Sequence, residues 1–252
     1  MKRLCWLSLT AICLGLPAKA GGTITIGAED DWYPQSGLVN GQLKGLTVDL
    51  VREAFKAAGA KVEYKVMPYA RCMALTKAGA LIGCFNTLRH PGIERDYLWH
   101  EQPMFTVQYQ IYARADSTEH GLRPHDLEGK EVAVTNGYEY GPEFDTNQKI
   151  KRIFTPRDEN NFRMLIAGRV QYTVAMEWNT KALIHRRPNE FFGKFKIVGQ
   201  VAESGVYTVF SKTHPDAYTA MQQFNQGMAL LRQSGRYKAI RDQWQEVQHN
   251  MQ

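Results

Sequence analysis

Motifs that announce a chemistry are scarce in this 252-residue sequence. Its seven histidines, His90, His100, His120, His125, His185, His214 and His249, show none of the spacings that bind metals. There is no Gly-x-Ser-x-Gly elbow and no phosphate-binding glycine loop. These gaps argue against a metalloenzyme, a serine hydrolase and a nucleotide-driven enzyme, and they imply no cofactor and no metal. Cysteine is sparse, at four residues. Charge is not concentrated either. The formal net charge is +6, from 31 Lys and Arg against 25 Asp and Glu, and the basic residues are scattered. That leaves no electrostatic footprint for nucleic acid.

What is present begins with an export signal. Lys2 and Arg3 precede an apolar stretch, Leu4 to Leu16, and Ala18-Lys19-Ala20 reads as a small-x-small cleavage site. The apolar stretch is too short to span a bilayer, although a short anchor is the alternative. Residues 1–20 are expected to be removed after Ala20, placing the product in the periplasm. Removal takes away Lys2, Arg3 and Lys19 and no acidic residue, so the charge falls from +6 to +3. No later segment is apolar enough to cross a membrane. Residues 21–252 suffice for one large domain or two lobes. Cys72 and Cys84 remain, and an oxidising compartment permits one disulfide. Cys72 opens an expected helix and Cys84 closes the next strand, which brings the two ends together. Two buried free thiols are the alternative.

Strand and helix alternate along the chain. Residues 23–27 ("TITIG") are strand-like. Leu46 to Ala58 has apolar residues at Leu46, Leu50, Val51, Ala54, Phe55 and Ala58, the spacing of a helix, with Gly59 as its stop. Strands are expected at 62–66 and 80–85, with a helix at 69–77 between them. A helix is also expected to start at Pro91. A second series follows: strands at 107–113, 131–134, 152–155 and 172–176, helices at 160–167 and from Asn179, and a further strand at 206–210. Two helical stretches, 216–234 and 236–247, finish the chain. This order predicts an α/β fold with mostly parallel sheets and ligand contacts at the carboxyl ends of the strands.

The stretches "GLTVDLVREAFKAAG" (45–59), "PYARCMALTKAG" (68–79), "DLEGKEVAV" (126–134), "AGRVQYTVA" (167–175) and "FSKTHPDAYTAMQQFNQGMALLRQSGRYKAI" (210–240) occur in the order seen in family 3 extracellular solute-binding proteins. The resemblance covers nearly the whole mature chain. It implies a two-lobe, Venus-flytrap architecture of the type II periplasmic binding proteins, with two crossover strands as hinge. Lobe 1 would hold residues 21–111 and 205–252, and lobe 2 residues 112–204. It also implies a small-molecule solute held between the lobes, an ABC importer permease as partner, and a monomer.

The resemblance further points to aromatic walls at Trp32, Tyr33 and Tyr69, where ordinary packing is the alternative. Arg71, on the first turn of the 69–77 helix, suits a carboxylate or a surface ion pair. The family's carboxylate-gripping arginine follows a Thr-Pro-Glu. Counting the eight residues from Pro91 to Trp99 puts Ile93 in that place. Arg95 would then point away on the helix, and Arg89, with Asn86 and Thr87, would line the cleft; a two-residue insertion at Gly92-Ile93 would restore Arg95 as the alternative. In lobe 2, Tyr138, Glu139 and Tyr140 replace a small, hydroxyl-rich turn. Met176 stands where the family often has an acid, with Glu177 one place later. The expected ligand set is therefore Trp32, Tyr33, Tyr69, Arg71, Asn86, Thr87, Arg89, Tyr138, Tyr140 and Glu177, for an amino acid or related carboxylate. A catalytic alternative exists. Cyclohexadienyl dehydratases resemble this family and use a carboxylic acid in the cleft, a role Glu177 would fill if burial raised its pKa. A periplasmic sensor partner is the other alternative.

Overall fold

Apolar spacing and the glycines that follow it shape the first half of the chain. The helix Leu46–Ala57 buries Leu46, Val48, Leu50, Val51, Ala54 and Phe55 along one face. Its chain reverses at Gly59, whose φ of 75° lies in the left-handed region. The strands Thr23–Glu29, Lys61–Met67 and Gly83–Leu88 and the helix Tyr69–Lys77 follow from the same pattern. These details come from a computed structural model, which describes residues 23–250. The expected signal segment, residues 1–20, and its cleavage site lie outside the described residues.

The fold is α/β, built around two sheets. In the first, the order is Lys61–Met67, Thr23–Glu29, Gly83–Leu88, Ser204–Ser211 and Tyr97–Trp99, with Phe105–Val107 also paired to Ser204–Ser211. The first three strands are parallel, and Ser204–Ser211 runs against them. The second sheet repeats the plan with Lys151–Thr155, Glu131–Thr135 and Tyr172–Met176 parallel. Tyr109–Arg114 runs antiparallel beside them, and Phe195–Gln200 forms the edge. A small three-stranded sheet, Asp31–Trp32, Ser36–Val39 and Gln42–Lys44, follows the first strand.

The chain crosses between the sheets twice, at Gln108 and at residues 201–203. The first crossing precedes the expected boundary because Tyr109 to Ile111 already pair with Met176 to Val174. The two crossings are bonded to each other: Ser204 pairs with Val107, and Val201 N–H donates to Tyr109 O at 2.9 Å. Helix Ala217–Gln233 packs back on Leu46–Ala57. Gly227 permits this, since a Cβ there would sit 1.9 Å from Ala54 O.

Three local expectations differ from the structure. The strand expected at 80–85 runs Gly83–Leu88, because Ala80 and Leu81 still donate to Leu75 O at the preceding helix end. No α-helix starts at Pro91. A 3-10 turn, Glu94–Asp96, hands the chain to Tyr97–Trp99, which pairs with Val209 to Ser211. Asn179 does not cap a helix. Helix Glu177–Arg186 begins earlier, and Asn179 Nδ2 donates to Tyr33 O at 3.1 Å.

Candidate functional site

The carboxyl ends of both sets of parallel strands converge on one small cavity, lined by Glu29, Trp32, Tyr69, Asn86, Tyr109, Tyr138 and Glu139. From the first sheet comes Glu29, the last residue of its strand and 2% exposed. Asn86 lies at φ 71°, a left-handed conformation that asparagine tolerates better than most residues. This turns its Nδ2 onto Glu29 Oε2 at 3.0 Å and Ser36 Oγ at 2.8 Å. Ser36 Oγ in turn donates to Glu29 O at 2.9 Å. Trp32 is buried. Tyr69 opens the helix Tyr69–Lys77, which a disulfide between Cys72 and Cys84 ties to the strand carrying Asn86.

From the second sheet come Tyr109 and the turn after Glu131–Thr135. Tyr140 anchors that turn. Its hydroxyl accepts from Thr135 N–H at 2.7 Å, and its own N–H donates to Asp145 Oδ2 at 2.9 Å. The turn reaches across at Gly137, with φ 82°. A Cβ there would lie 2.8 Å from the Ala70 methyl of the opposite helix. Tyr138 and Glu139 therefore enter the first sheet's half of the cavity.

Two reciprocal pairs close the gap. Tyr138 of the second sheet donates its hydroxyl to Glu29 Oε1. Tyr69 of the first donates to Glu139 Oε2 at 2.7 Å. The Tyr69 and Tyr138 rings meet edge to face with centroids 5.4 Å apart. Beside them, Arg157 binds Asp30 at 2.9 Å and Asp31 at 3.0 Å. The space enclosed is about 10 Å³, room for one water at most. A solute enters only if the two sheets part.

Burial dominates the electrostatics. It pushes Glu29 up to about 8, although hydrogen bonds from Tyr138 and Asn86 oppose the shift. Burial also raises Glu139 to about 8 and Asp158, bonded to Thr135 Oγ1, to about 7. The phenols of Tyr69, Tyr109 and Tyr138 are raised well above their ordinary value, again chiefly by burial.

Of the residues singled out from sequence, Trp32, Tyr69, Asn86 and Tyr138 meet in this cavity. Thr87 lies buried behind it, with its hydroxyl on Met73 Sδ at 3.4 Å. Tyr140 supports the turn without lining the cavity. Tyr33 is half-buried and meets the Trp244 ring edge-on at 6.0 Å.

Three expectations are corrected. Arg71 is exposed, because residues two apart on a helix point about 200° apart and Tyr69 takes the inward direction. Arg89 is also exposed. Strand pairing lasts to Leu88 and carries residue 89 past the cavity, where Arg89 binds Glu94 at 2.8 Å and lies 5.6 Å over the Trp99 ring. Arg95 is exposed as well. Glu177 starts its helix facing a separate groove of about 1010 Å³ beside the crossings, with Gln108, Trp178 and Trp244. There it binds Lys181 at 3.0 Å.

Glu29, Tyr109 and Glu139 line the cavity and were absent from the expected ligand set. The signal for Glu29 was its place after the alternating run "TITIGA". A carboxylate at the end of a central parallel strand has few places to point except the cavity.

The sequence profile of bacterial extracellular solute-binding proteins, family 3, matches residues 24–247. Among solved structures, a histidine kinase sensor domain with similarity to periplasmic binding proteins is 25% identical. It superposes with a TM-score of 0.77, over 89% of this chain and 96% of that one. An ancestral arginine-binding protein bound to arginine is 21% identical, with a TM-score of 0.75 over 89% of this chain and 99% of that one. A mutant of ArgBP from T. maritima is 20% identical, with a TM-score of 0.75 over 89% and 96%. No curated protein matches the sequence.

Proposed function

The chain belongs to the bacterial extracellular solute-binding proteins of family 3, and from that footing we propose that it captures a small polar solute between two lobes that divide at the paired crossings. The observation that carries this reading is the cavity itself. Its walls come from both sheets, and its two tyrosine–carboxylate pairs bridge them. A solute that contacts both walls favours the closed arrangement over the open one. In this reading the protein works in the periplasm as a monomer, after loss of residues 1–20, and hands its solute to the permease of an ABC importer. Delivery to a membrane sensor is the second reading, supported by the likeness to a kinase sensor domain. The catalytic alternative rested on Glu177, and that residue's place outside the cavity, paired with Lys181, does not favour it in that role.

A thermal-shift screen of amino acids, amines and organic acids tests the reading. One class of solute is expected to raise the melting temperature and to be recovered unchanged. A screen in which no class does so rules out capture in this cavity. Conversion of a solute by the pure protein would show an enzyme instead.

A further inference from the structure

We propose that the solute is an organic cation without a carboxylate, an ammonium or guanidinium compound, held by Glu29 and Glu139 within a box of Trp32, Tyr69, Tyr109 and Tyr138. The inference rests on solute capture in this cavity and names the class captured.

Charge is the first ground. The cavity wall carries two carboxyls, Glu29 and Glu139. Asp30 and Asp31 stand at its mouth, and Asp158 is bonded to Thr135 beside it. The guanidinium at that mouth, Arg157, is committed to Asp30 and Asp31. Arg71 and Arg89 point to solvent. A solute carboxylate entering here would give up its water and meet acids in place of a free cation.

A second ground is independent of charge. Asn86 is 6% exposed and lines the cavity, yet its Oδ1 has no hydrogen-bond partner. Its Nδ2 is spent on Glu29 and Ser36, which fixes the amide so that the cavity is offered an acceptor. Cationic N–H groups are the donors that suit it. Trp32 Nε1 is the cavity's unpartnered donor, but one neutral donor does not offset a carboxylate's lost hydration beside two acids. The aromatic walls add a third ground, since ring faces attract cations and recognise alkylated ammonium groups in this kind of enclosure. An inorganic ion fits less well. Among the described residues no three His, Cys, Asp or Glu side chains are grouped to hold a metal.

The proton inventory agrees. Glu29 is faced by Tyr138, Asn86, Asp158 and Asp31, and Glu139 by Tyr69 and Asp145, with His90 Nε2 3.9 Å beyond Asp145. No free cation is among the groups facing either carboxyl, and both titrate near 8. At neutral pH the closed site therefore holds protons on its carboxyls, and a bound cation takes their place. Binding should release protons and strengthen as pH rises from 6 to 8.

Matched pairs of solutes test the proposal by calorimetric titration of the full mature protein. Agmatine is arginine without its carboxylate, and cadaverine is lysine without its own. The decarboxylated member of at least one pair is expected to bind about tenfold tighter or better. Glu29→Gln and Glu139→Gln should each weaken that binding at least about tenfold while melting cooperatively. If either variant fails to fold, the wild type provides the readout: binding heats measured in two buffers of different ionisation enthalpy should report protons released. Equal or tighter binding of the amino acids overturns the cation proposal and leaves solute capture standing, as does binding without proton release. If no polar solute of any class binds, the capture reading falls, and this inference with it.

Discussion

Glu29 and Glu139 each accept a hydrogen bond from a tyrosine of the opposite sheet, yet they are held differently. Glu29 sits at the end of a central strand and is braced within its own sheet by Asn86 and Ser36. The helix beside it is tied to that sheet by the Cys72–Cys84 bond. Glu139 rides on a turn, and its carboxyl takes its hydrogen bond from Tyr69 across the gap. Two sheets of the same strand order thus contribute a rigid half and a reaching half. The contrast lies in the source of the support: Glu29 is braced from within the first sheet, whereas Glu139 is held from across the gap. Preorganising one wall lowers the entropy lost when a solute is trapped.

The largest test of this contrast is pH. Glu29 titrates near 8 in the closed form against an ordinary value of 4.5. A raised carboxyl contributes stability that is complete below about 4.5 and is lost as pH rises through 8. The span corresponds to on the order of 5 kcal/mol. His100, buried and held down to about 3, works in the opposite sense at acid pH, so the clean window is from 6.5 upward. Solution scattering should show the protein opening between pH 6.5 and 9, and Glu29→Gln should reduce that trend, with Glu139 and Asp158 carrying the remainder. Next in size is the brace. Replacing Cys72 and Cys84 together with serine should cost ~3 kcal/mol in urea unfolding. It should also weaken solute binding, because Tyr69 loses its fixed base. If stability falls while affinity is unchanged, the first half is not preorganised by this bond.

Gly137→Ala attacks the reaching half. The left-handed backbone costs ~1–2 kcal/mol for a side chain, and the added methyl would meet the Ala70 methyl of the opposite helix. Solute affinity should fall about tenfold with little change in the open form, read by titration and scattering together. The smallest effect belongs to Arg89→Ala. An exposed ion pair with Glu94 is worth under ~1 kcal/mol, and solute binding should stay within about twofold of wild type. A tenfold loss would place Arg89 back in the cavity.

Much of this arrangement was legible in the residues. Helix Leu46–Ala57 and the parallel strands follow from period and glycine stops, and the aromatics after strand ends fell where Trp32, Tyr69 and Tyr138 line the cavity. The direction of single side chains was not legible. The count from Pro91 assumed an α-helix, but the chain makes a 3-10 turn there, captured by pairing of Tyr97–Trp99 with a strand over one hundred residues later. The short strands Asp31–Trp32 and Phe195–Gln200 were missed because their partners supply their reason to exist. Glu139 sat in a turn whose path depends on Gly137 and on Tyr140's bond to Thr135. Tertiary geometry of that kind leaves no periodic trace.

The paired crossings carry a mechanical consequence. A single tether at Gln108 would let one half swivel freely about the other. Here Val107 and Tyr109 are stitched to Ser204 and Val201, so the tethers form a ribbon two strands wide. A ribbon bends across its flat face and resists twisting in its plane. In the proposed capture cycle the opening stroke would thereby be reduced to one rotation, and each closure would return Tyr138 to Glu29 and Tyr69 to Glu139 without a search.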